Sequence, residues 1–226
     1  MRTLKMSILS IIIITMIAGV GTYAYFSDIE TSTGNSFSAG TLDLKVMDND
    51  ESWGDGVVGT WTLSNMKPGD FKYGYVKVDN VGSIDGDHLE ITADYEVIEE
   101  SPVVESDTDP DTNLHPDWMA KNMTITSASY DDGTVIDLLT GEEWLDNIGG
   151  TYNDQNDDWM IEDADSDGKI SLYDLKYGRP DNLPLLHDDQ YTFRMTVKLD
   201  ENAGNDFQGD IFDLTVFFIL NQDSSQ

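Results

Sequence analysis

From about residue 40 the sequence alternates between apolar and polar positions. "TLDLKV" sets Leu42, Leu44 and Val46 on one face, with Asp43 and Lys45 on the other. "VGTWTLSN" at residues 58–65 predicts a second strand, and "KPGD", with Pro68 and Gly69, predicts the turn that closes it. "YGYVKVDNV" alternates Val76 and Val78 with Lys77 and Asp79. "HLEITADYEV" lines up Leu89, Ile91, Tyr95 and Val97. "MTITSASY" at residues 123–130 predicts another strand. The cleanest is "YTFRMTVKL". Here Tyr191, Phe193, Met195, Val197 and Leu199 point inward, and Thr192, Arg194, Thr196 and Lys198 point outward. The last strand, "IFDLTVFFIL", starts amphipathic and turns apolar on both faces at Phe217, Phe218, Ile219 and Leu220. That change predicts cover on both sides.

About seven or eight strands with turns between them predict an all-β fold, a two-sheet β-sandwich. Residues 142–186 interrupt it as an insertion. "GEEWLDNI" predicts a short helix, and "SLYDLKYG" a second, ended by Gly178 and Pro180. The Pro- and Asp-rich stretch at residues 101–118 reads as a long loop.

Residues 1–24 are built differently. Arg2 and Lys5 precede "MSILSIIIITMIAGVG", and no charge appears between Lys5 and Asp28. That length would span a bilayer if it were retained. The Ile-rich core is short, however, and Thr22 and Ala24 place small residues at the −3 and −1 positions of a secretory cleavage site. The reading is a signal peptide cut between Ala24 and Tyr25 by a signal peptidase. A type IV pilin-like cut would need a long helix after it, and the sequence turns strand-like instead.

Charge narrows the partners. The 226 residues hold 44 acidic and 12 basic side chains, a formal net charge of −32. Phosphate binding needs a basic face, so nucleic acid is excluded as a partner. So acidic a surface repels itself, and salt relieves the repulsion, which fits a saline medium and bound cations. Hydrophobic residues make up 39% of the chain, enough for a packed core rather than disorder. Cysteine is absent, so neither disulfides nor thiolate chemistry contribute.

One segment carries a site. "DADSDGKISLYD" at residues 163–174 follows the calcium loop of the EF type, with ligands at loop positions 1, 3, 5, 7, 9 and 12 and glycine at 6. These positions are Asp163, Asp165, Asp167, Lys169 through its carbonyl, Ser171 and Asp174, with Gly168 at the turn and apolar Ile170 at position 8. Clustered carboxylates give Ca²⁺ both charge and the oxygen ligands it takes. Asp at the last position matches the loop of cellulosomal dockerins. A single copy supports neither an EF-hand pair nor a dockerin module. "DTDPD" at residues 107–111 lacks the glycine and the twelfth ligand and reads as a solvated acidic loop.

Other signals carry less. Asn122 opens a glycosylation triplet, "NMT". His88, His115 and His187 read as structural or exposed. The chain has no His-Glu-x-x-His motif, no Gly-x-Ser-x-Gly elbow and no phosphate-cradling glycine loop. Nothing here predicts an enzyme. The five tryptophans read as core or loop anchors.

The amino-terminal stretch "GTYAYFSDIETSTGNSFSAGTLDLKV" resembles the TasA/camelysin family, proteins with SipW-dependent signal peptides. The resemblance rests on Thr22 through Asp28, and on Phe37 and Ala39 through Leu44. "NMKPGD", "NVGSIDGDHLEI" and "NDFQGDIFDLTVFFILNQ" are similar to that family as well, particularly to its archaeal members. The resemblance implies a jelly-roll sandwich, secretion, and extracellular filaments of the biofilm or bundling-pilus kind. It implies donor-strand exchange, with Tyr25, Phe26, Ser27, Asp28 and Ile29 completing the sheet of the next copy and filaments free to bundle laterally. Donor segment 25–40 would then precede sandwich 41–226. The alternative is a monomeric or membrane-anchored calcium-binding adhesion module at the cell surface. The family has also been classed as a metallopeptidase, and no peptidase motif in this chain supports that activity.

Overall fold

Among the described residues the alternating stretches form ten strands in two antiparallel sheets. The computed structural model describes residues 41–47, 52–55, 61–64, 66–98, 114–145, 151–152, 157–185, 187–204, 207 and 209–222. All of them belong to the larger of two units, Gly40–Gln226. The smaller unit, Met1–Ala39, lies outside the described residues, as do the cleavage site and the donor segment.

The larger sheet has seven strands. In spatial order they are β1 (Leu44–Met47), β3 (Phe71–Asn80), β9 (Gln190–Leu199), β5 (Met123–Asp131), β6 (Thr134–Asp137), β7 (Glu143–Leu145) and β8 (Thr151–Tyr152). The smaller has three, in the order β2 (Trp61–Ser64), β10 (Ile211–Asn221) and β4 (His88–Ile98). The sandwich read from the alternation is correct. The inward rows of β4 and β9 are buried as expected: Leu89, Ile91, Tyr95 and Val97 on one strand, and Tyr191 through Leu199 at alternate positions on the other. Phe193 of β9 joins the sheets. Its ring meets Trp61 of β2 edge-on at 6.0 Å and Phe218 of β10 at 5.7 Å.

Two short helices lie beside the strands. Helix α1 (Pro116–Asn122) starts on a proline, whose fixed φ suits a first turn, and buries Met119 and Ala120. Helix α2 (Leu172–Tyr177) buries Leu172 and Leu175 and ends at Gly178, as "SLYDLKYG" predicts. Leu183 pairs with Leu89 along the free flank of β4, and the Ile91 N–H donates to the Pro180 carbonyl. Trp159 anchors this segment by donating its indole N–H to the Asn182 carbonyl at 2.9 Å.

Three local expectations need correction. "GEEWLDNI" does not open a helix, because Glu143–Leu145 is β7. Gly141, with φ of 67°, and the backbone bond from its N–H to the Asp137 carbonyl reverse the chain, so Glu143 and Trp144 pair with Ile136 and Val135. The expected loop at 101–118 already contains helix from Pro116 onward. The apolar end of β10 is not covered on both faces either, since Phe217 is 45% and Ile219 41% exposed. On one side β10 pairs with β4 along its whole length. On the other, β2 reaches only Ile211 through Leu214. Among the described residues, no strand pairs with 215–221 on that side. The inward side chains there, Val216, Phe218 and Leu220, are only partly buried.

Gly74 of β3 makes room for Trp61. A Cβ at that position would stand 2.4 Å from the indole, closer than any real contact. Gly74→Ala should therefore cost about 1–3 kcal/mol through overpacking, read as a lower urea midpoint at unchanged slope. An unchanged midpoint would mean that the Trp61 ring moves freely.

Candidate metal centre

The acidic loop is held by its own backbone turns. Gly168 adopts φ of 84°, the left-handed conformation that loop position 6 requires. Asp163 sits under the turn: its carboxylate accepts from Asp167 N at 3.1 Å and from Gly168 N at 2.8 Å. Asp167 N also faces Asp165 Oδ1 at 3.2 Å. On the exit side, Ile170 and Ser171 run beside β5: Ile125 N donates to the Ile170 carbonyl at 2.7 Å, and Thr124 bridges Ser171.

The last loop position is also the first turn of α2. Asp174 is buried, and its Oδ2 accepts from Ser171 N at 2.8 Å and Ser171 Oγ at 2.7 Å. Its Oδ1 accepts from Ala164 N at 2.9 Å. One carboxylate thus ties the start of the loop to the start of the helix.

Of the six sequence-predicted ligands, Asp163, Asp165 and Asp174 converge, each bringing a carboxylate oxygen within 4.8 Å of the others. Asp167 is not in that group; its Oδ1 accepts from Lys169 N at 2.8 Å. Ser171 is the residue before α2, with its hydroxyl on Asp174 rather than in the loop centre. The Lys169 ammonium leaves the loop to pair with Asp200, and so holds that carboxyl below its ordinary range. Lys121 of α1 reaches Asp165 at 2.9 Å and lies over the Tyr173 ring at 4.2 Å; this pairing lowers the Asp165 pKa. The donor set is all oxygen, gathered by a turn of the right handedness, and it fits a hard dication better than a transition metal.

The histidines read as structural hide a second group. His88, Glu90 and Asp181 also bring ligand atoms within 4.8 Å of one another. Only the His-x-Glu half, two side chains on one face of β4, is visible in sequence. Asn122 closes α1 and donates from its amide to the Trp118 carbonyl at 3.0 Å.

A sandwich of this kind with an acidic loop is a domain class rather than an activity. The comparison with known families narrows it. The model for "Camelysin metallo-endopeptidase" matches residues 1–142, and the chain belongs to that family. No curated protein matches the chain in sequence. The family match ends before the acidic loop begins, so the loop stands outside the shared region.

Asp174 has a structural part independent of any ion. Asp174→Ala leaves Ser171 N–H, its hydroxyl and Ala164 N–H without their acceptor. It should cost about 1.5–3 kcal/mol in urea unfolding even in excess chelator. An unchanged midpoint in chelator would place the whole role of Asp174 with a bound ion.

Proposed function

We propose that the chain is a secreted structural subunit of an extracellular filament, joined head to tail by donor-strand exchange. The processed segment starting at Tyr25 would add to the sandwich of the next copy. The observation that carries the reading is the exposed apolar end of β10. Residues 215–221 pair with β4 alone among the described residues, and Phe217 and Ile219 stand exposed. An unpaired strand of this kind takes up an extended segment through backbone hydrogen bonds, and apolar side chains set the register. Tyr25, Phe26 and Ile29 give that segment apolar side chains to seat against the sheet. A head-to-tail contact does not close on itself, so it generates a fibre that can bundle laterally. Membership of the camelysin family supports a place outside the cell or at its surface.

Calcium belongs to the same proposal. Copies that are each strongly negative must lie close in a fibre, and an ion in the acidic loop removes charge while rigidifying the segment around α2. Asp163→Ala should lower the melting temperature more in calcium than in chelator, where only its bonds from Asp167 N and Gly168 N are lost. Equal losses in both conditions would remove the ion from the account.

The direct test is deletion of residues 25–33 from the mature chain. The product should fold yet form no fibres by electron microscopy, in salt and calcium that support assembly of the intact chain. Normal fibres from the deletion would reject the donor role. A full chain that stays monomeric with residues 1–24 attached would instead favour the anchored adhesion module.

The family's description favours a second reading, a metal-dependent endopeptidase. It would be established by peptide hydrolysis that co-purifies with the protein, stops with chelator and returns with metal. The absence of a His-Glu-x-x-His motif places it second.

A further inference from the structure

His88 begins β4, and its imidazole is buried, with a side-chain exposure of 5%. Its Nδ1 faces Asp87 Oδ2 at 3.2 Å. A proton on Nδ1 donates to that carboxylate and leaves the lone pair on Nε2 directed at the cluster. Nε2 lies 3.6 Å from Glu90 Oε1 and 3.5 Å from Asp181 Oδ1. Those separations are long for hydrogen bonds. They are the spacing of neighbouring ligands on one ion: donors bound at about 2.0–2.2 Å in a tetrahedron stand roughly 3.4 Å apart.

The surroundings fit the same arrangement. Arg179 Nε holds the other Glu90 oxygen, Oε2, at 2.7 Å and so orients the carboxylate without occupying Oε1. Asn221, paired with His88 across the sheet, sets its amide Nδ2 3.1 Å from Nε2 and 3.0 Å from Oε1. A half-turn of that amide would present its oxygen at the same point as a fourth donor. An acidic residue on the far nitrogen of a ligating histidine is the usual means of orienting the ring and raising its basicity.

We propose that His88 Nε2, Glu90 Oε1 and Asp181 Oδ1, completed by Asn221, bind one divalent transition metal ion of the zinc class. The imidazole nitrogen separates this centre from the acidic loop, since Ca²⁺ takes oxygen and zinc takes nitrogen readily. The ligands come from the start of β4, the end of β10 and the segment after α2, beside the Leu89–Leu183 bridge. The ion therefore clips the insertion to the small sheet, where β4 begins and β10 ends. The proposal stands whether the chain works as a filament subunit or as a peptidase.

The test is calorimetric titration of the processed full chain with Zn²⁺ in saturating calcium, repeated with Co²⁺ as a visible-absorption probe. One zinc per chain is expected, with the intense bands of four-coordinate cobalt. His88→Gln and Asp181→Asn should abolish or weaken binding by more than about 100-fold. Asp87→Asn, acting through the ring, should weaken it about 10–100-fold. Asp163→Ala should leave it unchanged. Asp181 is partly exposed, so Asp181→Asn keeps the test decisive if His88→Gln fails to fold. No zinc heat in saturating calcium, wild-type affinity in Asp181→Asn, or loss of zinc in Asp163→Ala would each overturn the proposal.

Discussion

The two sheets differ in size, and most of this structure follows from covering the larger with the smaller. Three strands cannot shield the inward face of seven. Phe193 shows the fit at the centre, wedged between Trp61 and Phe218. Away from that point the sandwich needs other cover. On the β4 flank it comes from α1, α2 and the segment around Leu183 and Leu185, whose apolar side chains are buried. The acidic loop is part of that cover, because Ser171 and Ile170 lie along β5 while Asp174 fixes the start of α2. The chemistry of the loop and the packing of the core are therefore one arrangement. Asp174 serves both, because its carboxylate ties the start of the loop to the start of the helix that covers the sheet.

The opposite flank is handled less completely. Trp61 fills the space over Gly74, and among the described residues β2 pairs with β10 only as far as Leu214. A strand edge with exposed apolar side chains such as Phe217 and Ile219 is a hazard in a monomer and an asset in a polymer. The filament reading gives that flank an occupant of the right shape, and it gives removal of the leader a purpose, since a tethered segment cannot lie in a neighbouring molecule. The net charge of −32 works against close association, so the same reading calls for salt and bound cations.

The long strands were legible because one face of each meets the core, and burial imposes a period of two on β4 and β9. The short strands β7 and β8 were not, because two or three residues carry no alternation, and β7 is brought to β6 by the turn at Gly141. Helix α1 was masked by the Pro- and Asp-rich sequence before it. The acidic loop was legible because all its residues lie in one continuous stretch whose backbone geometry is fixed by Gly168. Even so, the sequence could not tell that Asp167 would turn to Lys169 while Asp163, Asp165 and Asp174 converged. The His88 group was illegible for the opposite reason. Its members come from three distant parts of the chain and meet only through the β4–β10 register and the bridge to Leu183. The apolar run in β10 predicted cover on both faces, and the exposed Phe217 and Ile219 locate where that cover is lacking.

Cryo-electron microscopy of fibres grown from the processed chain, in salt and calcium, tests the account most directly. The account predicts backbone density for residues 25–33 of one copy alongside residues 215–221 of the next, hydrogen-bonded to the flank that β2 leaves open. Density that traces this segment along β10 of its own copy, or fibres joined through any other surface, would contradict it.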